Sequence, residues 1–112
     1  MTVLKDKQHK IVLMLADLIK FADSKGYQLT LGDAYRDPRV HGAVGVKASY
    51  SSANSVHKQR LAIDLNLFKD GVYLVNTEDY EELGKYWESI GGAWGGRFED
   101  GNHFSLEHNG MK

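Results

Sequence analysis

No cysteine occurs among the 112 residues, which excludes disulfides, zinc fingers and thiol catalysis. Any metal site must therefore be built from histidine and carboxylate. Proline occurs once, at Pro38, and neither an internal repeat nor a low-complexity linker interrupts the chain. No apolar run approaches the roughly 18 residues of a membrane span. The early apolar stretch 11–16 is short, runs into Asp17 and Lys20, and precedes no small-residue cleavage site. Neither a secretion signal nor stable membrane association is expected. Charge of one sign is also missing, since 14 Lys and Arg against 15 Asp and Glu leave a net charge of -1. Duplex-binding and phosphodiester-cleaving proteins usually carry a basic excess, so nucleic acid is not an expected partner. What is present is an ordinary globular composition, 42% hydrophobic and 26% charged. That composition excludes general disorder, collagen and coiled coil. The length suits one domain over residues 1–112 with one modest core, and a monomer is expected.

Hydrophobic spacing predicts a helix over residues 5–25. Ile11, Leu15, Leu18 and Ala22 share a face, and Gly26 stops the helix. Alternation over 27–36 predicts a strand leading to Ala34, Tyr35 and Arg36, with Leu29 and Leu31 on one side. Residues 37–55 read as a long loop carrying Asp37-Pro38 and a serine-rich run at 49–55 with Tyr50, a substrate-groove or surface-loop segment. The clearest strand is 60–68: Leu61, Ile63, Leu65 and Leu67 face one way, Ala62, Asp64 and Asn66 the other. Asp70-Gly71 predicts a hairpin turn into a partner strand over 72–75. Thr77 is expected to cap a second helix with Tyr80, Leu83, Trp87 and Ile90 inward. A polar turn at 99–102 and a short strand over 103–106 complete the chain. The order predicts an α+β fold, a small, mostly antiparallel sheet packed by two helices.

Of the five histidines, two have informative neighbours. His57 ends the serine-rich loop just before the best strand, and Asp64 lies seven residues later within it. A carboxylate in mid-strand is costly to bury without compensation, and a cation is the simplest compensation. His103 opens the last strand, with Asp100 three residues back across a glycine turn. His57, Asp64 and His103 supply two imidazoles and a carboxylate, the kind of donor set a catalytic zinc site uses with a fourth position left to water. Such a set accepts other divalent ions as well. Asp100 would then stand near that water as general base and acid for attack on a carbonyl. Arg36, after Tyr35, could bind a substrate carboxylate or an oxyanion.

The segments Ser55-Val56-His57 through Ala62-Ile63-Asp64 and Asp100-Gly101-Asn102-His103, with Tyr35-Arg36 and Trp94-Gly95-Gly96 upstream, resemble the zinc D,D-peptidase and L-alanyl-D-glutamate peptidase family. This family includes VanY-type carboxypeptidases and phage endolysins. The resemblance spans roughly residues 27–107 and implies a hedgehog/D,D-peptidase-like fold with a zinc cleft on the sheet face. It implies zinc on His57, Asp64 and His103, Asp100 as catalytic acid/base, Arg36 touching substrate, and Ser55 near the substrate cleft. Two departures stand out: many members have glycine where this chain has Arg60, and some have glutamate where it has Asp100. The implied activity is cleavage of peptidoglycan stem peptides, as an L-alanyl-D-glutamate endopeptidase of the lytic phage or prophage type. Such an enzyme accumulates in host cytoplasm and reaches the wall during lysis. The alternatives are a D-alanyl-D-alanine carboxypeptidase and a non-catalytic zinc-containing binding module.

Each residue also has a plainer reading. Asp64 could pair with Arg60 or Lys58, and Arg36 with Asp33 or Asp37. His57 and His103 could each be solvated. Trp94 is either core under the second helix or a wall of the substrate cleft. His9, His41 and His108 read as solvated or passive. The conjunction of His57, Asp64, His103, Asp100 and Arg36 favours the metal reading.

Overall fold

The computed structural model describes residues 3–41, 43, 45 and 55–112. The run at 49–54, including Tyr50, and the side chain of His41 lie outside the described residues, with the expectations attached to them. Helix α1, Leu4–Ser24, buries Ile11, Met14, Leu18 and Ala22. It ends on Gly26 at φ +85°, where Tyr27 N donates to Ala22 O and Gly26 N to Asp23 O, both at 3.0 Å. That paired closure satisfies carbonyls left free at a helix end and needs a residue tolerant of the left-handed region.

Strand β1 is Gln28–Leu31 and a short helix α2 is Pro38–His41. Strand β2, Ala62–Lys69, is the axis of the sheet. It pairs antiparallel with β1 along Leu65–Phe68. With β3, Val72–Leu74, it forms a hairpin in which Lys69 faces Val72. The two residues between, Asp70 and Gly71, have φ of +52° and +79°, as a two-residue turn with both centres left-handed requires. The first half of β2 pairs with β5, His103–Ser105, which pairs in turn with β4, Ala93–Trp94. Helix α3, Glu81–Ser89, buries Leu83, Gly84 and Trp87.

The fold is therefore α+β, with an antiparallel five-stranded sheet. One sheet face carries Ile63, Leu65, Leu67 and Phe104, which join Ile11, Met14, Leu18, Leu83 and Trp87 in the core. Phe21 of α1 stacks on Tyr86 of α3 at 4.1 Å between ring centres. Alternation along β2 then places Asp64 on the other face, away from the helices. No helix among the described residues is long and apolar enough to cross a membrane.

Three local expectations change. The first strand stops at Leu31, which is 70% exposed. Gly32 and Asp33 still bond to the backbone of Asp64, and from Ala34 onward the chain turns away to His57, held by Ala34 O and Arg36 N. Leu61 is buried, but in a small separate cluster with Val56 and Ala62. The second helix is not capped by Thr77. Asn76 caps a 3-10 turn, Thr77–Tyr80, that precedes α3, and Asp79 Oδ2 accepts from Asn76 N at 3.1 Å. The Thr77 hydroxyl accepts instead from Gly101 N at 3.3 Å. Near the C-terminus His108 forms an antiparallel bridge with Met111.

Candidate metal centre

His57 sits in a 3-10 turn, Val56–Gln59, whose first backbone donor is met by Ser55: its Oγ accepts from His57 N at 3.1 Å. The turn ends on Arg60 at φ +59°. This is the left-handed region that glycine adopts without strain. Arg60 keeps its place by stacking over Tyr35, 4.0 Å from the ring centre. It takes no part in pairing with Asp64, and Lys58 does not either, its Nζ donating to Ala43 O at 3.2 Å.

His57 is 1% exposed. Its Nδ1 lies 2.7 Å from Ala34 O. A carbonyl only accepts, so Nδ1 carries the proton and the Nε2 lone pair faces inward in the neutral ring. His103 is set directly across from Asp64 by the β2–β5 register. Three atoms therefore meet. His57 Nε2 lies 3.2 Å from His103 Nδ1 and 3.2 Å from Asp64 Oδ1, and His103 Nδ1 lies 3.4 Å from the same oxygen. Among the described residues this is the group of side chains able to hold a metal ion.

The edges of that triangle decide whether a metal fits. Zinc bonds nitrogen and carboxylate oxygen at about 2.0–2.2 Å, so two ligands of a tetrahedral ion are about 3.3–3.5 Å apart. The observed edges of 3.2, 3.2 and 3.4 Å come within about 0.1 Å of that spacing. Asp64 Oδ1 is also buried without an aligned hydrogen-bond donor. A buried carboxylate oxygen facing ring nitrogens, with no aligned donor, is an arrangement a cation satisfies. Burial by itself would raise the pKa of Asp64, but the two facing rings, when His103 and His57 are protonated, outweigh it and hold the carboxyl well below its ordinary range. It is ionised at neutral pH, as a ligand must be.

The second oxygen of Asp64 is taken by Arg36, whose Nη2 lies 3.6 Å from Oδ2. Arg36 also reaches Asp33 Oδ2 from Nε and donates to Ser55 Oγ from Nη1, each at 3.4 Å. The structural pairing with Asp33 and the placement at the site thus occur together, whereas Asp37 pairs with Arg39.

Asp100 stands at the open side, its side chain 52% exposed and Oδ2 4.0 Å from His103 Nδ1. Its turn is held from several directions. Asp100 N donates to Gly95 O at 2.8 Å and His103 N to Asp100 O at 3.0 Å. Trp94 Nε1 donates to Gly101 O at 2.7 Å. Trp94 is buried at 5% exposure in the main core, against Gly84 of α3. Of its two sequence readings, core describes where it lies; it supports the Asp100 turn from beneath and is not among the residues that line the cleft at His57 and His103. That cleft, about 210 Å³, is bordered by Arg36, Ser55, His57, Asp100 and His103, and also by Phe98 and Lys112. Sequence reasoning missed Phe98, which is 49% exposed with its ring 5.7 Å from His103. Its signal was an aromatic between the Gly95-Gly96 pair and the polar turn. His9 is exposed, and His108 Nδ1 lies 3.3 Å from Lys7 Nζ, both away from this cleft.

Gly95 connects the two halves of the site. A Cβ there would overlap Asp100 O and lie 2.6 Å from His103 Cβ. Neither neighbour is a flexible side-chain end. Gly95→Ala is expected to destabilise the protein by about 1–3 kcal/mol and to weaken zinc binding together with it. A thermal melt and a zinc titration on the same sample check this, and wild-type behaviour in both would contradict the packing described.

A family model described as D-alanyl-D-alanine carboxypeptidase matches residues 49–106. The match takes in a little over half of the chain, including His57, Asp64, Asp100 and His103. The chain belongs to the D-alanyl-D-alanine carboxypeptidase family and is a peptidase by that membership. No curated protein matches it.

Proposed function

We propose that this chain is a zinc-dependent peptidase of peptidoglycan stem peptides. The observation that carries the reading is the triangle of His57 Nε2, His103 Nδ1 and Asp64 Oδ1, with edges of 3.2, 3.2 and 3.4 Å. Zinc, when bound, supplies a Lewis acid for the scissile carbonyl and lowers the pKa of a coordinated water toward about 7.

The remaining chemistry belongs to the protein. Ala34 O fixes the tautomer and direction of His57. Asp100, half exposed and 4.0 Å from His103 Nδ1, can take the proton released as water adds to the amide carbon and return it to the departing nitrogen. Without that return the amine is a poor leaving group. Phe98 offers an apolar wall to a substrate side chain, and Ser55, whose oxygen already accepts from His57 N and Arg36 Nη1, can still donate its own hydroxyl proton.

Within this class the L-alanyl-D-glutamate endopeptidase of the phage lysis type is the reading the short motifs suggest. The family description favours a second, removal of a terminal D-alanine. Digestion of purified muropeptides by the zinc-loaded protein, read by mass spectrometry, separates them. Cleavage after L-alanine supports the first, and loss of one D-alanine the second. Intact muropeptides with zinc fully bound would overturn the peptidase proposal in favour of a binding module.

A further inference from the structure

The segment after β1 wraps around the site from behind. Gly32 N donates to Asp64 O and Asp64 N to Asp33 O, both at 2.8 Å, while Arg36 N donates to His57 O at 3.0 Å. A Cβ on Gly32 would lie 2.9 Å from Asp64 O and 3.2 Å from Asp64 Cβ, so the strap can come this close only as glycine. The same five residues thus hold the backbones of two of the three ligating residues. They also deliver one guanidinium to the outer oxygen of Asp64.

We propose that Arg36 is a positioning residue for the metal, and that Asp33 acts through it; this rests on the metal-centre reading above. A free carboxylate rotates and can bind a cation through one oxygen or both. Arg36 Nη2 at Oδ2 removes that choice and presents Oδ1 alone to His57 and His103. The guanidinium is itself fixed, since Nε meets Asp33 Oδ2 and Nη1 meets Ser55 Oγ. Its planar fork meets the three acceptors from three separate nitrogens in one rigid plane, whereas the donors of an ammonium diverge from a single atom on a flexible stem.

Charge raises an objection that Asp33 answers. A lone cation 3.6 Å from a ligating carboxylate repels an incoming divalent ion as well as orienting its ligand. Asp33 offsets the guanidinium charge, leaving the orientation with less of the repulsion. Asp33 is therefore not an incidental surface partner. Its removal both loosens Arg36 and uncovers a positive charge beside the metal position.

The experiment is zinc affinity measured by competition with a chromogenic chelator, with cobalt substitution to read coordination geometry from visible absorption. The apo proteins are melted in parallel to confirm that each variant folds. Arg36→Gln is expected to bind zinc about 10–100-fold more weakly and to shift the cobalt bands, with apo melting near that of wild type. Asp33→Asn should show a smaller loss in the same direction. Arg36→Lys should behave closer to Arg36→Gln than to wild type. The double variant Asp33→Asn/Arg36→Gln should bind no more weakly than Arg36→Gln alone, because a residue acting through another adds nothing once that other is gone. Zinc affinity within twofold of wild type in Arg36→Gln, with only KM raised, would overturn the proposal and leave Arg36 as a substrate contact. Additive losses in the double variant would overturn the part assigned to Asp33. If the wild-type protein itself takes up no zinc, the metal-centre reading fails, an outcome distinct from either of these.

Discussion

Alanine at His57, Asp64 or His103 is expected to abolish stoichiometric zinc binding and all peptidase activity. Each of the three supplies one corner of a triangle whose edges are 3.2–3.4 Å. Two corners do not close a tetrahedral site, and among the described residues no other side chain completes the group. Asp100 Oδ2 is 4.0 Å from His103 Nδ1 on the open side, and the outer oxygen of Asp64 is held by Arg36. Metal content after dialysis and turnover on muropeptides check the expectation. Melting with and without zinc adds a quantitative reading. A ligand that binds only the folded protein stabilises it by about 2.7 kcal/mol at a hundredfold excess over Kd. Wild type should show such a rise in Tm on adding zinc, and the three variants none. A variant that kept both zinc and its zinc-dependent Tm would remove that residue from the site.

Asp100→Asn should separate chemistry from metal binding. Asp100 is half exposed and bonds to its surroundings through backbone groups, with Asp100 N on Gly95 O and Asp100 O accepting from His103 N. The amide keeps the shape of the turn, so zinc affinity should stay close to that of wild type and stability within about 0.5 kcal/mol. The carboxylate that accepts the proton is lost. General acid-base catalysis is worth about 10²–10⁴-fold, and kcat should fall within that range with little change in KM. Asp100→Glu restores a carboxylate on a side chain one methylene longer, at a site open enough to admit it, and should recover part of the rate. Near-normal turnover by Asp100→Asn would disprove the proton-transfer assignment.

Much of this arrangement is legible in the chain itself. Ile11, Leu18 and Ala22 mark the buried stripe of α1 through their spacing, and alternation from Leu61 to Leu67 marks β2 and leaves Asp64 opposite the core. Asp70-Gly71 gives the hairpin, because few other pairs accept two left-handed residues. What is not legible depends on partners distant in sequence. Nothing near Asp64 reveals that its outer oxygen belongs to Arg36 rather than to Lys58 or Arg60. Nothing near Leu31 shows that the strand ends there because Ala34 and Arg36 turn to His57. Trp94 has the same appearance as core or as wall until Gly84 of α3 is seen to lie against it. Thr77 and Asn76 are both good capping residues, and the choice is made by Gly101, which engages the threonine hydroxyl.

Strand β2 has a dual allegiance: Ile63, Leu65 and Leu67 anchor the interior, while Asp64 between them serves the opposite side. Shifting the strand by a single residue against its neighbours would exchange the two sets, driving a carboxylate into hydrocarbon and turning leucines out to solvent. Deletions or insertions there should thus erase folding and catalysis in one stroke. A lineage of such enzymes has room to vary in length only beyond the ends of this strand.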